Sequence, residues 1–113
     1  MRKVSIRGWI VLPLPQWFDG ATAIVGLDDV TLIDALSTRI AQTVIEGISG
    51  RQDRIPFSLE AQWDFRGRDS YVLAAEIRRS GGDRLAPGDF LTTVAVPWTV
   101  DRTEGNSVPV TRV

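Results

Sequence analysis

Apolar side chains in this chain recur at every second residue, and prolines, glycines and aspartates interrupt that alternation at short intervals. A period of two marks a half-buried β-strand, because successive side chains point to opposite faces of a pleated ribbon. Across residues 4–12 the even positions are Val4, Ile6, Gly8, Ile10 and Leu12, while Ser5 and Arg7 hold odd ones; Trp9 and Val11 break the pattern on the polar side. Pro13 and Pro15 are expected to end this strand, since proline donates no ladder hydrogen bond. Residues 21–28 form a second alternating run, with Ala23, Val25 and Leu27 on one face. Between residues 29 and 46 two periods compete. Val30, Ile33, Leu36, Ile40 and Val44 fall at helical spacing, with Asp28 or Asp29 as N-cap. Against a helix stands the density of β-branched residues, among them Thr38, Ile40, Thr43, Val44 and Ile45. The preferred reading is a loop over 32–37 and a strand over 38–46.

Residues 47–54 are rich in Gly, Ser, Asp and Gln and read as a loop. Ile55, Phe57 and Leu59 then alternate, and Pro56 among them indicates an edge strand or a strand start. Residues 61–69 read as a polar and aromatic connector. Tyr71, Leu73, Ala75 and Ile77 give the clearest strand, 71–78, followed by a Ser80-Gly81-Gly82-Asp83 turn. A second turn, Ala86-Pro87-Gly88-Asp89, leads to a strand over 90–96 that Pro97 is expected to close, and Val108, Val110 and Arg112 suggest a last short strand. About seven strands without helical crossovers predict an all-β fold: a single antiparallel β-sandwich, immunoglobulin-like or transthyretin-like, with Greek-key connections, spanning 1–113 as one domain.

Composition narrows the function. The 113 residues contain no cysteine and no histidine. Disulfides, thiolate metal sites and Ser-His-Asp or Cys-His catalysis are therefore excluded. Hydrophobic residues make up 43% and charged residues 24%, enough apolar material for a core. A formal net charge of −1 gives no electrostatic basis for nucleic-acid binding. No run approaches the length of a transmembrane helix. Met1-Arg2-Lys3 looks like a basic start, but the apolar run Trp9–Leu14 is too short for a signal peptide and contains Pro13, so the expected location is cytoplasmic if Met1 is native.

Several constellations merit weighing. Asp28, Asp29 and Asp34 are the candidate metal ligands, for calcium, although no EF-hand spacing is present. Asp64 and Asp69 extend the carboxylates available for a hydrolytic pair, but a domain of this length has little room for a cleft. Arg66, Arg68, Arg78, Arg79 and Arg84 cluster near one hairpin and read either as an anion or protein patch or as a solvated face. Four tryptophans invite a stacking surface for sugars or for a protein. Trp17 and Phe18, in a proline-flanked segment, and Trp98 are the candidate partner contacts, whereas Trp63 beside Phe65 reads as core. No residue set requires a cofactor. The expected activity is binding of a protein partner through a strand edge or an apolar groove, with a carbohydrate- or calcium-binding sandwich as the alternative.

The order of segments is itself informative. Val4-Ser5-Ile6-Arg7-Gly8 opens a strand; Gly26-Leu27-Asp28-Asp29-Val30-Thr31 ends the next; Ile40-Ala41-Gln42-Thr43 returns. Ile55-Pro56-Phe57-Ser58-Leu59, Tyr71-Val72-Leu73-Ala74-Ala75-Glu76-Ile77, Phe90-Leu91-Thr92-Thr93 and Val96-Pro97-Trp98-Thr99-Val100 follow. Over residues 4–100 this order resembles the YbaY/YscW-like lipoprotein family, which includes the pilot proteins of type III secretion secretins. The resemblance implies a small, non-enzymatic, chaperone-like β-sandwich of the bacterial envelope or periplasm, and strands flanking residues 31–37. Two features depart from the family pattern: this chain has no lipobox cysteine to carry a lipid anchor, and Ala86-Pro87-Gly88-Asp89 looks like an insertion.

Overall fold

A computed structural model describes residues 1–31 and 37–113 of the chain. Seven strands occur in the order β1 (Arg2–Asp29), β2 (Thr38–Trp63), β3 (Tyr71–Arg78), β4 (Phe90–Leu91), β5 (Val96–Trp98), β6 (Asn106–Pro109) and β7 (Thr111–Arg112). There is no helix among the described residues. The helical alternative over 29–46 is thereby overturned for 38–46, where β-branched side chains sit in a strand; the expected loop at 32–36 lies outside the described residues.

The strands join one seven-stranded sheet, antiparallel throughout except that β6 runs parallel to β1. β1 and β2 form one long hairpin, from Arg2 opposite Trp63 to Asp29 opposite Thr38. A straight strand of 28 residues would be about 90 Å long, yet the molecule measures 40 × 29 × 21 Å. The hairpin must therefore bend back over itself. Its two arms then face each other, and inward residues from both, Val4, Ile6 and Ile10 on one and Ala23, Val25 and Leu27 on the other, enter one core. The first arm of β1 is flanked by β6 and the second by β3; β4 joins β3 to β7.

The structure corrects four expectations. Pro13 and Pro15 do not end the first strand. Val11 pairs with Arg54 and Gln16 with Gln52, so residues 12–15 stand opposite a single residue, Asp53. Proline is tolerated there because a bulge requires no ladder donor. Residues 47–54 are strand rather than loop. Gly47 (φ 68°) and Gly50 (φ 84°) supply the left-handed backbone for irregular pairing without leaving the ladder. The strand expected over 90–96 is divided into β4 and β5, and Pro97 sits inside β5. Among the described residues that strand pairs with β3 alone, so Pro97 meets no second ladder there. The connector expected to begin at residue 61 begins after Trp63.

The alternation elsewhere holds residue by residue: Tyr71, Leu73, Ala75 and Ile77 are all buried and their neighbours are not. Gly8 has a packing role. The backbone of Asn106 lies so close that a Cβ on residue 8 would overlap its carbonyl oxygen. Buried Asn106 fastens β6 there, donating to the carbonyls of Arg7 (3.1 Å) and Arg102 (2.9 Å).

Candidate functional site

The carboxylates singled out in the sequence are separated by the pleat. Asp28 and Asp29 are adjacent on β1, so their side chains leave opposite faces of the sheet. Asp28 is nearly buried and accepts from Nε and NH2 of Arg39, whose guanidinium lies flat over Gly26. Asp29 instead folds onto its own turn, accepting from the backbone N–H (2.9 Å) and hydroxyl (2.6 Å) of Thr31. Asp34 lies outside the described residues. Among the described residues no group of acidic side chains is placed to hold a metal ion. Asp64 pairs with Arg66 at 3.2 Å on the surface, while Asp69 accepts from the Tyr71 hydroxyl at 3.4 Å, so these two carboxylates also serve separate partners.

The arginine cluster disperses as well. Arg66 pairs with Asp64, and Arg78 is held between Glu76 (3.0 Å) and the carbonyl of Gly82 (2.9 Å). Arg68 and Arg84 are exposed. Arg79 has the most elaborate setting. Its guanidinium donates to the carbonyls of Gly88 (2.9 Å) and Trp17 (2.8 Å) and to Oε1 of Gln16 (2.8 Å), and lies over the rings of Phe18 (4.9 Å) and Phe90 (5.5 Å). Its backbone N–H donates to buried Asp89, which also accepts from Ala86 N. Arg79 thus ties the bend of β1 to the turn before β4.

The aromatic candidates divide sharply. Trp17 is 72% exposed, and Leu14, three residues earlier in the same bend, is 69% exposed. Phe18 and Trp98 are not surface contacts: they are 5% and 2% exposed. Phe18 follows Trp17 on the opposite face and stacks edge-on against Phe90. Trp98 packs against Phe65 and Tyr71, and its indole N–H donates to the Arg102 carbonyl at 2.7 Å. Trp9 lies half-buried on the outer face beneath the Arg54 guanidinium. Burial pushes the Tyr71 hydroxyl's pKa up, and the charges of Asp69 and Asp29 add to the effect, against the hydrogen bond donated by Arg66 N.

Shallow hollows lie at two places among the described residues. One, of about 240 Å³, lies between Trp9, Pro56, Phe57 and the Arg7–Glu104 pair; the other, of about 100 Å³, is walled by Phe65, Tyr71, Trp98 and Val100. Neither brings two carboxylates face to face. The more extensive feature is β2 itself. Among the described residues it pairs with β1 alone, which leaves one side open along all 26 residues. Pro56 was the sequence signal for this edge.

No family model and no curated protein sequence matches the chain. A solved structure does: an alternative pilotin from the type II secretion system of Vibrio cholerae, 25% identical, with a TM-score of 0.73 and coverage of 98% of this chain and 96% of that one. The fold is pilotin-like. The alignment takes in nearly the whole of both chains.

Proposed function

We propose that this protein is a non-enzymatic, chaperone-like module of the YbaY/YscW kind that binds a secretion-system protein in the bacterial envelope. The observation that carries this reading is the end-to-end likeness to a type II secretion pilotin. The order of sequence segments, which resembles that of the YbaY/YscW-like family, supports the same reading. The contact surface is the bend of β1, where Leu14, between Pro13 and Pro15, and Trp17 just beyond them stand exposed. A large indole in water is a ready anchor, since interface energy concentrates in buried aromatic side chains. Arg79 holds the carbonyl of Trp17, so the anchor is fixed at its base before a partner arrives. Phe18 supports the bend from below, against Phe90 and Arg79, while Trp98 is core at the other end of β1.

The test is capture by the tagged protein from an envelope fraction of the source organism, with an outer-membrane secretion component as the readout. Trp17→Ala should lower capture by about tenfold while the melting temperature stays within a degree or so. Undiminished capture by that variant would remove Trp17 from the interface, and capture of no secretion component would remove the reading itself.

A further inference from the structure

The open edge of β2 is guarded along only one of its halves. From residue 51 to residue 60 it carries Arg51, Asp53, Arg54, Pro56 and Glu60, charges and a proline that discourage another strand from adding. Gly47 and Gly50 break the edge with left-handed backbone. From Ile40 to Ile45 there is no charge, no proline and no glycine, and four of the six residues are β-branched. Ile40, Ala41 and Ile45 pack on the rim of the core but stay partly exposed, and Val44 is 48% exposed. The unguarded segment is bounded by Arg39 at one end and Glu46 at the other.

Register decides what fits there. Leu27 pairs with Ala41 and Asp28 with Arg39, so Ile40 is an extra residue in the ladder. This bulge puts Arg39 on the outer face with Gln42, Val44 and Glu46, and its guanidinium indeed lies over Gly26 on that face. Ala41, Thr43 and Ile45 stand opposite buried Leu27, Val25 and Ala23 and face inward. In an antiparallel pair related by a two-fold axis perpendicular to the sheet, inward residues must oppose inward residues. An axis through Thr43 meets that condition. It sets Ala41 against Ile45 of the second copy and Gln42 against Val44. With Ile40 left out of the count, it also sets Arg39 against Glu46, at both ends. Asp28 and Gln42 occupy three of the five N–H groups of Arg39, leaving two for a second carboxylate. Glu46 is exposed and makes no ion pair among the described residues.

From this self-complementarity we infer that the edge at residues 39–46 pairs antiparallel with the same edge of a second copy, centred on Thr43, and continues the sheet from one molecule into the next. The inference is independent of the partner assigned to Trp17, which sits at the bend and not on this segment.

The chain has no native cysteine, so a single introduced thiol reports the register directly. Thr43→Cys brings two sulfurs together across the axis, because directly opposed residues have Cα atoms about 4.5–5.5 Å apart, within disulfide reach. Val44→Cys, one residue along, places them about 8 Å apart and out of reach. Under mild oxidation the Thr43→Cys protein should form a covalent dimer at least about tenfold faster than the Val44→Cys protein. Sedimentation of the unmodified protein should show a reversible monomer–dimer equilibrium that weakens with salt. Glu46→Arg, which opposes two guanidinium groups, should weaken it by about tenfold. A mass of 12.5 kDa at every concentration overturns the inference. So does a dimer that cross-links equally through residues 43 and 44, or one indifferent to Glu46→Arg.

Discussion

Replacing Arg79 by lysine keeps the charge and discards the fork, and the structure permits an estimate of the cost. The guanidinium makes three hydrogen bonds to neutral acceptors, two of them part-buried and the one to the exposed Trp17 carbonyl open to water. Hydrogen bonds from a charged donor contribute about 1.5–3 kcal/mol when sheltered and less when solvated. Discounting for exposure leaves about 1–1.5 kcal/mol for each of the two inner bonds and about 0.5 for the outer one. Stacking on Phe18 and Phe90 adds about 0.5 kcal/mol for each ring. The whole is near 4 kcal/mol. A lysine ammonium can recover one bond and part of the cation–π attraction, but it cannot span Gln16, Trp17 and Gly88 together. Arg79→Lys should therefore lose about 2 kcal/mol, and Arg79→Ala about 3–4 kcal/mol. Urea unfolding followed by tryptophan fluorescence reads these values from the shift in midpoint. Hydrogen exchange supplies an independent check, because the loss should first raise exchange at residues 16–18 and 86–89, the two segments that the side chain connects. A lysine variant within about 0.5 kcal/mol of the parent, or one destabilised with unchanged exchange in those segments, refutes the reasoning.

Two further outcomes follow from the packing. Gly8→Ala should cost about 3 kcal/mol, because the new methyl overlaps the backbone carbonyl of Asn106 and a paired backbone yields less easily than a side chain; thermal unfolding would reveal it, and a variant as stable as the parent would show that β6 is free to shift. Tyr71 is the one tyrosine, so its ionisation can be followed alone by phenolate absorbance, and the midpoint should lie above 10. With the folded value raised, the stabilisation linked to this proton is fully present below pH 10 and is lost as pH rises through the folded value, and Tyr71→Phe should abolish that alkaline limb. A Tyr71 midpoint at or below 10 would contradict the burial described.

What could be read in advance depended on how local the cause was. Alternation is a property of neighbouring residues, so Val4, Ile6 and Ile10, then Tyr71, Leu73, Ala75 and Ile77, announced their inward face. Pro56 announced an edge for the same reason. The behaviour of Pro13 and Pro15 depends on a strand more than thirty residues away, whose Asp53 alone stands opposite residues 12–15. The composition of residues 47–54 looked loop-like because bulge glycines and loop glycines are the same residue. Sequence proximity groups Trp17 and Phe18 as contacts, but neighbours on a strand cannot both face outward, and Phe90 claims Phe18. Asp28 and Asp29 fail as a shared cation site by the same rule. The clamp of Arg79 had no signal at all, since its acceptors on the bend are 62 and 63 residues distant in sequence.

The parallel docking of β6 beside Gly8 has a temporal meaning. Val108 and Val110 complete the same core as Ile6 and Ile10, so the first strand cannot be sealed until residues a hundred positions later are in place. Such long-range closure makes for slow, late folding. Until residue 110 has emerged from the ribosome, the inward side chains of the first arm lack the partners that cover them.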